Sequence, residues 1–480
     1  MPHARQTTHA GIETRLSVLA TASLISVFTQ YLNGERLIVL DSRALTKIQS
    51  VALIAVIVVA AVSGGVAYVL WRGPAQSAET IRIGIIADLD QTTGKGTLQG
   101  ATLAAEQINS QGGVLGRNLT VVAEDDDSET SGDIVVATNA LTRLITVDKA
   151  DYIIASAPTS ITITYQDISS EHKKILFTVA NSIDNLTQRV LDNYDKYKYY
   201  FRACQTNAST VSAGMLGDII AVGNYTGFTK VALLFIDATA SKQAYLGLNK
   251  SLPSHGFEVV YGNFFAPTTT DFAGYFSALE AAGAQILFPI VPSGTSAAFV
   301  KEWCERQSPT VLWGVIGGAT DSSFWNLTEG KCDTVSFAGS PAVSGYPLTN
   351  KTVSTREAYI QRWGEVPINA AVGTYDTLRF ILPDALGRAG TTETEVVIKA
   401  LETTNVETSL ARHFVFTSSH DTMVGSDAPN NPAEDYMVMM IFQWQNGTQV
   451  PVRPLQIMKE AWVTYKYPPW QGPWSNNQTP

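Results

Sequence analysis

Short apolar runs alternate with amphipathic stretches along most of this sequence. The first series of predicted strands comprises residues 81–87, 119–125, 151–157 and 175–180, with helical spacing between them. The second series comprises residues 230–236, 257–265, 284–291 and 310–317, separated by predicted helices near 241–252, 271–282 and 295–306. Alternation of this kind is typical of parallel sheets with helices on both faces. The chain is therefore predicted to form two doubly wound α/β lobes, each with four strands.

The pattern changes after the second series. Helices are predicted at 353–363, 370–387 and 393–403. The run MIFQWQNGTQVP at 440–451 predicts a hairpin, because Asn446-Gly447 stands between two strand-like runs. The tail YKYPPWQGPW at 465–474 is rich in proline and aromatic residues. It either packs on the surface, which we favour, or serves as a contact.

Residues 101–119, ATLAAEQINSQGGVLGRNL, join an apolar helical stripe to three closely spaced glycines. A dinucleotide fingerprint places such glycines after a strand and before a helix, so that the phosphate meets the helix N-terminus. Here the helix comes first, and Gly112-Gly113 follow it, where a left-handed glycine ends a helix. The run GKGT at 94–97 also lacks the earlier glycine of a phosphate loop. The pattern predicts a helix stop rather than a nucleotide site.

Ile48–Trp71 is an uncharged apolar stretch, long enough to cross a bilayer at about 1.5 Å per residue. Its N-terminal flank carries three basic residues: Arg36, Arg43 and Lys47. The positive-inside bias therefore places residues 1–47 in the cytoplasm and everything after a linker at 72–80 outside the cell. We expect a single-pass signal anchor in the cell membrane; a cleaved signal peptide is the alternative.

Sequons and cysteines also favour an exported protein. Nine Asn-X-Ser/Thr sequons lie beyond the apolar stretch, at Asn118, Asn185, Asn207, Asn224, Asn249, Asn326, Asn350, Asn446 and Asn477. Random placement would give roughly three, so the excess favours a glycoprotein, although a Thr-rich surface also forms sequons by chance. Cysteines are sparse; Cys304 and Cys332 could form a disulfide and leave Cys204 over, but the spacing alone does not fix the pairing.

Composition and motifs exclude several classes of function. Hydrophobic residues make up 45 % of the 480 positions, enough for a large core, and the formal net charge is −10. An acidic chain is a poor nucleic-acid binder, because phosphate contacts need clustered Lys and Arg. No G-x-S-x-G, H-E-x-x-H or C-x-x-C motif is present, so we expect no enzyme. The run EDDDSETSGD at 124–133 is similar to a calcium loop but has Thr138 where a bidentate Glu is needed, so neither metal nor cofactor is expected.

Small and hydroxylated residues follow two of the predicted strands. Ala155-Ser156-Ala157-Pro158-Thr159-Ser160 comes after the third strand, and Val179-Ala180-Asn181-Ser182 comes after the fourth. Ligands of open parallel sheets bind outside the carboxyl ends of the strands. Hydroxyls and unpaired amides at a helix start can hold a carboxylate, although Thr159 and Ser182 could also be ordinary helix caps.

These residues carry a resemblance to a known family. The segments GATLAAEQINSQGGVLGRNLTVVAEDDDSE (100–129) and DYIIASAPTSITITYQDISSEHKKILFTVANS (151–182) resemble the branched-chain amino acid type of extracytoplasmic solute-binding protein. Later pieces agree, among them KVALLFIDATAS (230–241) and GTYDTL (373–378). The resemblance covers roughly residues 80–455. It implies two lobes that are joined by a three-crossover hinge and close on a small ligand.

The resemblance also implies a set of ligand-binding residues. In the first lobe, the position that grips a carboxylate corresponds to Thr159, next to Ser160, and the positions after the fourth strand correspond to Ala180, Asn181 and Ser182. In the second lobe, aromatic positions of the family fall near Ser241 and Pro292. The family's acidic position for an α-ammonium falls near Ile316, with Asp237 as a candidate substitute. Thr93 and Tyr375 complete the expected set.

The absence of an acidic residue at the position near Ile316 limits the class of ligand that we expect. Without that carboxylate a buried ammonium would stay unpaired at a cost of several kcal/mol. The expected ligand is therefore a small polar solute, with an amino acid, an amide, a related solute or a short peptide all open.

The expected domain order follows from these observations. We expect a cytoplasmic segment (1–47), an anchor (48–71), a linker (72–80), lobe 1 (81–202 and 345–415), lobe 2 (203–344 and 416–462) and a tail (463–480).

The expected function is an extracellular, monomeric receptor that delivers its solute to the permease of an ABC importer. The alternative is a ligand-sensing ectodomain of a signalling receptor with the same fold. For an output domain of such a receptor, the 47 residues before the anchor are too few.

Overall fold

The structure, a computed structural model, describes residues 80–204, 207–425, 436–454 and 461–471. All of them belong to one compact unit, Ala78–Pro480. The predicted cytoplasmic segment, anchor and most of the linker lie outside the described residues. Among the residues that are described, no helix combines the length and the apolar character needed to cross a bilayer.

Five parallel strands form the sheet of lobe 1, in the order β2-β1-β3-β4-β5. The elements in chain order are β1 (Ile81–Ala87), α1 (Thr92–Ser110), β2 (Leu119–Asp125), α2 (Ile134–Thr146), β3 (Tyr152–Ser156), α3 (Thr159–Glu171), β4 (Ile175–Thr178), α4 (Asp184–Asp192), α5 (Tyr194–Tyr197) and β5 (Tyr200–Arg202). The sequence pattern predicted four of these strands and missed the three-residue β5.

Seven strands form the sheet of lobe 2, in the order β12-β11-β10-β9-β8-β6-β7. The elements from the first crossing onward are α6 (Ala208–Thr226), β6 (Lys230–Ile236), α7 (Thr239–Ser251), β7 (Glu258–Phe265), α8 (Ala273–Ala281), β8 (Ile286–Val291), α9 (Ser293–Glu305), β9 (Val311–Ile316), α10 (Phe324–Leu327) and β10 (Ser336–Gly339). Two 3-10 turns, Leu252–His255 and Gly317–Thr320, follow α7 and β9. Strands β6 to β10 are parallel to one another.

The chain then returns to lobe 1 before it completes lobe 2. The remaining elements are α11 (Pro341–Ser344), α12 (Thr352–Trp363), α13 (Asn369–Asp376), a π turn (Thr377–Ile381), α14 (Leu382–Ala389), α15 (Thr394–Glu402), β11 (Met440–Gln445), β12 (Thr448–Arg453) and α16 (Ala461–Thr464). Helices α12 to α15 pack against lobe 1, whereas β11 and β12 form the predicted antiparallel hairpin and extend the sheet of lobe 2. The chain therefore crosses between the lobes three times.

Both faces of the central strands in the lobe 1 sheet are buried, which explains their apolar sequences. On one face, Ile83 and Ile85 of β1 pack in a core with residues of α1 and α13. On the other face, Ile86 packs in a second core with residues of α2 and α3. A strand covered on both sides has no solvent-facing positions and is therefore hydrophobic throughout.

The three-glycine segment is the helix stop that its order predicts. Helix α1 ends at Ser110, and the amide of Gly113 donates to the carbonyl of Ile108 at 3.0 Å. Gly113 has a φ of +78°, and a Cβ at this position would lie 2.1 Å from the carbonyl oxygen of Arg117. Only glycine fits this conformation and this space without strain.

The described part of the tail packs on lobe 2. Trp462 stacks on Tyr225 with ring centroids 4.3 Å apart, and the Trp470 indole donates to the carbonyl of Ser308 at 2.9 Å. Cys304 and Cys332, the candidate disulfide pair, form no disulfide in the structure.

Candidate functional site: the cleft between the lobes

The carboxyl ends of both sheets meet at the hinge. The first crossing leaves β5 at Arg202, and the second leaves β10 at Gly339. The third enters β11 at Met440, which lies at the same edge because β11 is antiparallel to β10. The strand orders place the topological switch points between β1 and β3 and between β6 and β8. Ligands of open α/β sheets bind at such points.

The switch point of lobe 1 carries three of the sequence-predicted residues. Thr93 lies half-buried in the first turn of α1, directly after β1, and Thr159 and Ser160 begin α3 directly after β3. Both α3 residues are exposed, and within the described residues the Thr159 hydroxyl has no hydrogen-bond partner. The first backbone bond of the helix runs from Thr162 N to Pro158 O at 2.9 Å. The backbone amides of residues 159–161 come before this bond and have no partner within the helix. They are therefore open to a polar ligand.

The loop after β4 lies beside this point. Asn181 is buried and donates through Nδ2 to the carbonyl of Ala157 at 3.2 Å, which ties the loop to the end of β3. Ser182 is half-buried, and its carbonyl accepts from the amide of Ala208, the first residue of α6, at 2.6 Å. Ala180 packs against the core of lobe 1. The structure thus brings the five first-lobe candidates after β3 and β4 to neighbouring strand ends.

The acidic run after β2 stabilises this edge. Asp88, which follows β1 and is 1 % exposed, accepts from the amides of Glu129 and Thr130 at 3.0 and 2.8 Å. Asp126 is buried and accepts from the Tyr165 hydroxyl at 2.6 Å. Burial raises the pKa of Asp126, while its hydrogen bonds oppose the shift. In the structure this run forms a hydrogen-bonded turn.

The switch point of lobe 2 carries three more predicted residues. Asp237 follows β6, is half-exposed and forms an ion pair with Lys242. Ser241 is buried within α7, and Pro292 directly precedes α9 at the end of β8. The carboxylate that the sequence suggested as a partner for an ammonium group is therefore already paired with a lysine.

Two predicted residues point away from the cleft. Ile316 ends β9 but is 1 % exposed, because its side chain packs in the core of lobe 2. Tyr375 on α13 donates its hydroxyl to Gln107 Oε1 at 2.6 Å. Gln107 lies about 22 Å along α1 from the start of that helix, at 1.5 Å per residue. In the structure both side chains belong to the cores of their lobes.

Two cavities lie beside the hinge. The smaller has a volume of about 180 Å³ and is lined by residues of both lobes: Thr320, Ser322, Val343, Ser344, Arg356, Val366, Trp444, Gly447, Thr448 and Gln449. The larger, of about 970 Å³, runs along α6 and the third crossing. None of the eleven sequence-predicted residues lines either cavity.

Sequence reasoning therefore missed the polar groups of the smaller cavity. Arg356 lies on helix α12, and Gln449 lies in strand β12 of the hairpin. Neither belongs to a motif, and both reach the cavity only because the chain crosses between the lobes. No signal in the sequence marks them.

Comparisons with known proteins agree with this architecture. A family model for periplasmic binding proteins matches residues 80–448. The chain is 23 % identical over 402 residues to the Leu/Ile/Val-binding protein homolog 7 of Brucella abortus (strain 2308), and the match covers 80 % of this chain and 94 % of that protein.

Two solved structures share the fold. A protein from Silicibacter pomeroyi, described as a branched-chain amino acid ABC transporter, has a TM-score of 0.70 at 18 % identity over 82 % of this chain and 100 % of that chain. An ABC transporter solute-binding protein from R. palustris in complex with benzoate has a TM-score of 0.60 at 16 % identity over 78 % of this chain and 95 % of that chain.

Proposed function

The chain belongs to the periplasmic binding protein family, and we propose on that premise that it captures a small polar solute between its lobes and delivers it to an ATP-driven importer. Its relatives are solute-binding proteins of the branched-chain amino acid ABC transporter type. Closure of the lobes around a solute would exclude water from the polar contacts and strengthen them. An importer would then read the closed form, because the ligand shifts the population towards it.

The observation that carries this proposal is the arrangement of the two sheet edges. The carboxyl ends of both sheets lie at the hinge, and each has its topological switch point there. A solute that contacts both switch points would stabilise the closed form over the open one. Differential binding of this kind is the requirement for a ligand-driven closure.

In lobe 1 the proposed contacts are the start of α3 and the loop after β4. The Thr159 hydroxyl and the open amides of the helix N-terminus would bind a carboxylate or another acceptor, with Thr93 in the first turn of α1 after the neighbouring strand. The backbone of Ala180 and Ser182 would contact the same solute. In lobe 2 the proposed contacts are Pro292 and the turn after β6.

The solute class stays open between amino acids and other small acids. The curated relatives are named as Leu/Ile/Val-binding proteins, and one structural neighbour holds benzoate. In this chain Asp237 is paired with Lys242, and Ile316 stands where the family places its acid. With Asp237 paired to a lysine and an isoleucine in place of the family's acid, a carboxylic acid without an obligatory ammonium group is favoured over a simple branched-chain amino acid.

We also propose that the binding unit is exported as a monomer and held at the membrane by residues 48–71. The sequons support export, and most of those described are exposed. Asn207 is an exception, because its Nδ2 donates to Asp421 Oδ2 at 2.8 Å and is not available to a glycan. Fractionation of cells that express the full chain would test the anchor: release of a fragment that starts at or after residue 73 contradicts it.

Binding is tested directly by thermal unfolding of the purified unit with a panel of solutes. Leucine, isoleucine, small carboxylic acids, the corresponding amides and short peptides are added one at a time at increasing concentration. A true solute raises the midpoint with a logarithmic dependence on concentration. If no member of the panel raises it, the proposal fails for these solute classes.

A further inference from the structure

The smaller hinge cavity carries a charged group that the proposed cleft contacts do not use. Arg356 on α12 donates through Nε to the carbonyl of Val343 in the second crossing, at 3.1 Å. Within the described residues, the guanidinium of Arg356 makes no other hydrogen bond and pairs with no carboxylate. The two terminal nitrogens of the guanidinium therefore remain as donors at the cavity wall.

The second crossing holds this guanidinium in place. Gly345 has a φ of +81°, and a Cβ there would lie 3.4 Å from both Cδ and Nε of Arg356. The bare backbone of the crossing thus packs along the arginine side chain. An arginine fixed through Nε presents its terminal nitrogens as a planar fork, which matches a carboxylate.

On the lobe 2 side, the cavity offers an acceptor. Gln449 on β12 donates through Nε2 to the carbonyls of Ala319 and Thr320, at 3.2 and 3.1 Å. These two bonds fix the orientation of its amide. Its Oε1 is buried and has no partner within the described residues. A buried acceptor of this kind is stabilised by a ligand that brings an N–H or O–H group.

The rest of the lining limits the ligand. None of the ten lining residues is an aspartate or glutamate, so the cavity has no group to neutralise an ammonium. Val343, Val366 and Trp444 supply apolar walls. The volume of about 180 Å³ is below the roughly 300–1,000 Å³ of pockets for drug-sized ligands. These features together favour a small, mostly apolar carboxylic acid.

We propose that this cavity binds the carboxylate of a small organic acid on Arg356; where the acid also carries a hydroxyl or an N–H, that group donates to Gln449 Oε1. The inference rests on the proposed function, since it names the solute class of the same receptor. Arg356 belongs to lobe 1 and Gln449 to lobe 2, so a bound acid bridges the lobes beside the hinge and stabilises their closed arrangement.

The test uses isothermal titration of the binding unit with two acids, their two amides and one zwitterion. The acids are benzoate and 2-hydroxy-3-methylbutanoate, the amides are benzamide and 2-hydroxy-3-methylbutanamide, and the zwitterion is isoleucine. We expect both acids to bind and each amide to bind at least about 30-fold more weakly, because it lacks the charge that Arg356 recognises. Binding of acid and amide with equal affinity overturns the inference.

Variants locate the site. Arg356→Gln is expected to weaken the two acids by about 30-fold or more, and Arg356→Lys by less, because a lysine keeps the charge but not the fork. Arg362→Gln is the matched control: it lies on the same helix and pairs with Glu106 on the surface. Its affinity for the acids should match wild type. Unfolding without ligand verifies that all three variants are folded.

The outcomes separate this inference from the proposed function. If isoleucine binds, Thr159→Ala weakens it and Arg356→Gln leaves all probes unchanged, the receptor function stands and the cavity assignment fails. If only the Arg356 variants weaken the acids, the cavity assignment is supported. If no probe binds the wild-type unit, the inference is contradicted, whereas the proposed function is contradicted only if the wider solute panel also fails.

Discussion

Arg202 Nε lies 3.0 Å from Asp421 Oδ1, and both side chains are almost completely buried, at 0 and 4 % exposure. Arg202 ends β5 at the first crossing, and Asp421 lies in the third. Arg202 also donates to the carbonyls of Asn181 and Ile183, at 2.8 and 2.6 Å. These carbonyls flank Ser182, so one buried ion pair links two hinge segments to a loop that we propose contacts the solute.

Removal of one partner of this pair should destabilise the protein strongly. Asp421→Asn leaves the Arg202 guanidinium buried without a counter-ion, which typically costs about 3–5 kcal/mol. Burial raises the pKa of Asp421, and the charge of Arg202 opposes this shift. Each of the two buried charges is therefore compensated by the other. Urea unfolding at neutral pH measures the loss.

A surface pair serves as the control for this measurement. Glu106 and Arg362 lie 2.9 Å apart with about half of each side chain exposed, and exposed pairs contribute about 0–1 kcal/mol. The free energy of unfolding of Glu106→Gln should therefore lie within about 1 kcal/mol of the wild-type value. An Asp421→Asn loss no larger than this would show that the hinge does not depend on the buried pair.

Thr159→Ala should lower the affinity for the solute with little effect on folding. The hydroxyl is exposed and without a partner in the described residues, so its loss leaves no buried group unsatisfied. One hydrogen bond to a charged ligand contributes about 1.5–3 kcal/mol, roughly 10- to 100-fold in affinity.

Titration of the Thr159→Ala variant uses whichever solute of the panel gives the largest thermal shift. Thr164→Ala on the same helix, whose hydroxyl donates to Ser160 O, is the control; equal affinities of the two variants would remove Thr159 from the site.

Much of the fold could be predicted because its central strands are buried on both faces. Three predicted strands, at 81–87, 119–125 and 230–236, coincide with β1, β2 and β6. Helix α6 was missed, although it has 19 residues. Its run ASTVSAGMLGDIIAVGNYT contains glycines and small residues on several sides, so no apolar stripe stands out. The short strand β10 was also missed, since four residues give too little periodicity.

The site could be predicted less well than the fold, for a physical reason. Thr159 and Ser160 follow a predicted strand directly, so their position at the edge can be read from the order of elements. Ile316 also follows this rule, yet its side chain turns into the core, because the last residue of a strand faces either side. Arg356 and Gln449 line the same cavity from distant parts of the chain, which local patterns cannot encode.

Asp376 should make stability depend on pH. It is 2 % exposed and accepts from the amide and hydroxyl of Ser409, at 3.0 and 2.9 Å. Burial raises its pKa to about 7, above the roughly 3.9 of an unfolded Asp. The folded protein therefore holds this proton more tightly, and the resulting stability is present at low pH and is lost as the pH rises through 7.

The variant Asp376→Asn removes this dependence, because the amide stays neutral at every pH. Between pH 5 and pH 8, the stability of wild type relative to this variant should fall by about 2 kcal/mol. Urea unfolding of both proteins at several pH values measures the difference. A constant difference across this range would mean that Asp376 titrates well below pH 5.

The two neighbouring glycines after α1 should respond differently to the same substitution. Gly113→Ala places a Cβ 2.1 Å from the carbonyl oxygen of Arg117, and it also forces an alanine into the left-handed region, which costs about 1–2 kcal/mol. Gly112 has a φ of +99° but open space around its Cβ position, so Gly112→Ala carries the conformational cost alone. Thermal unfolding should therefore rank Gly113→Ala as the less stable variant by at least about 1 kcal/mol. Equal midpoints for the two variants would mean that the turn at Arg117 moves to accept a side chain, and that the close approach does not fix the path from α1 into β2.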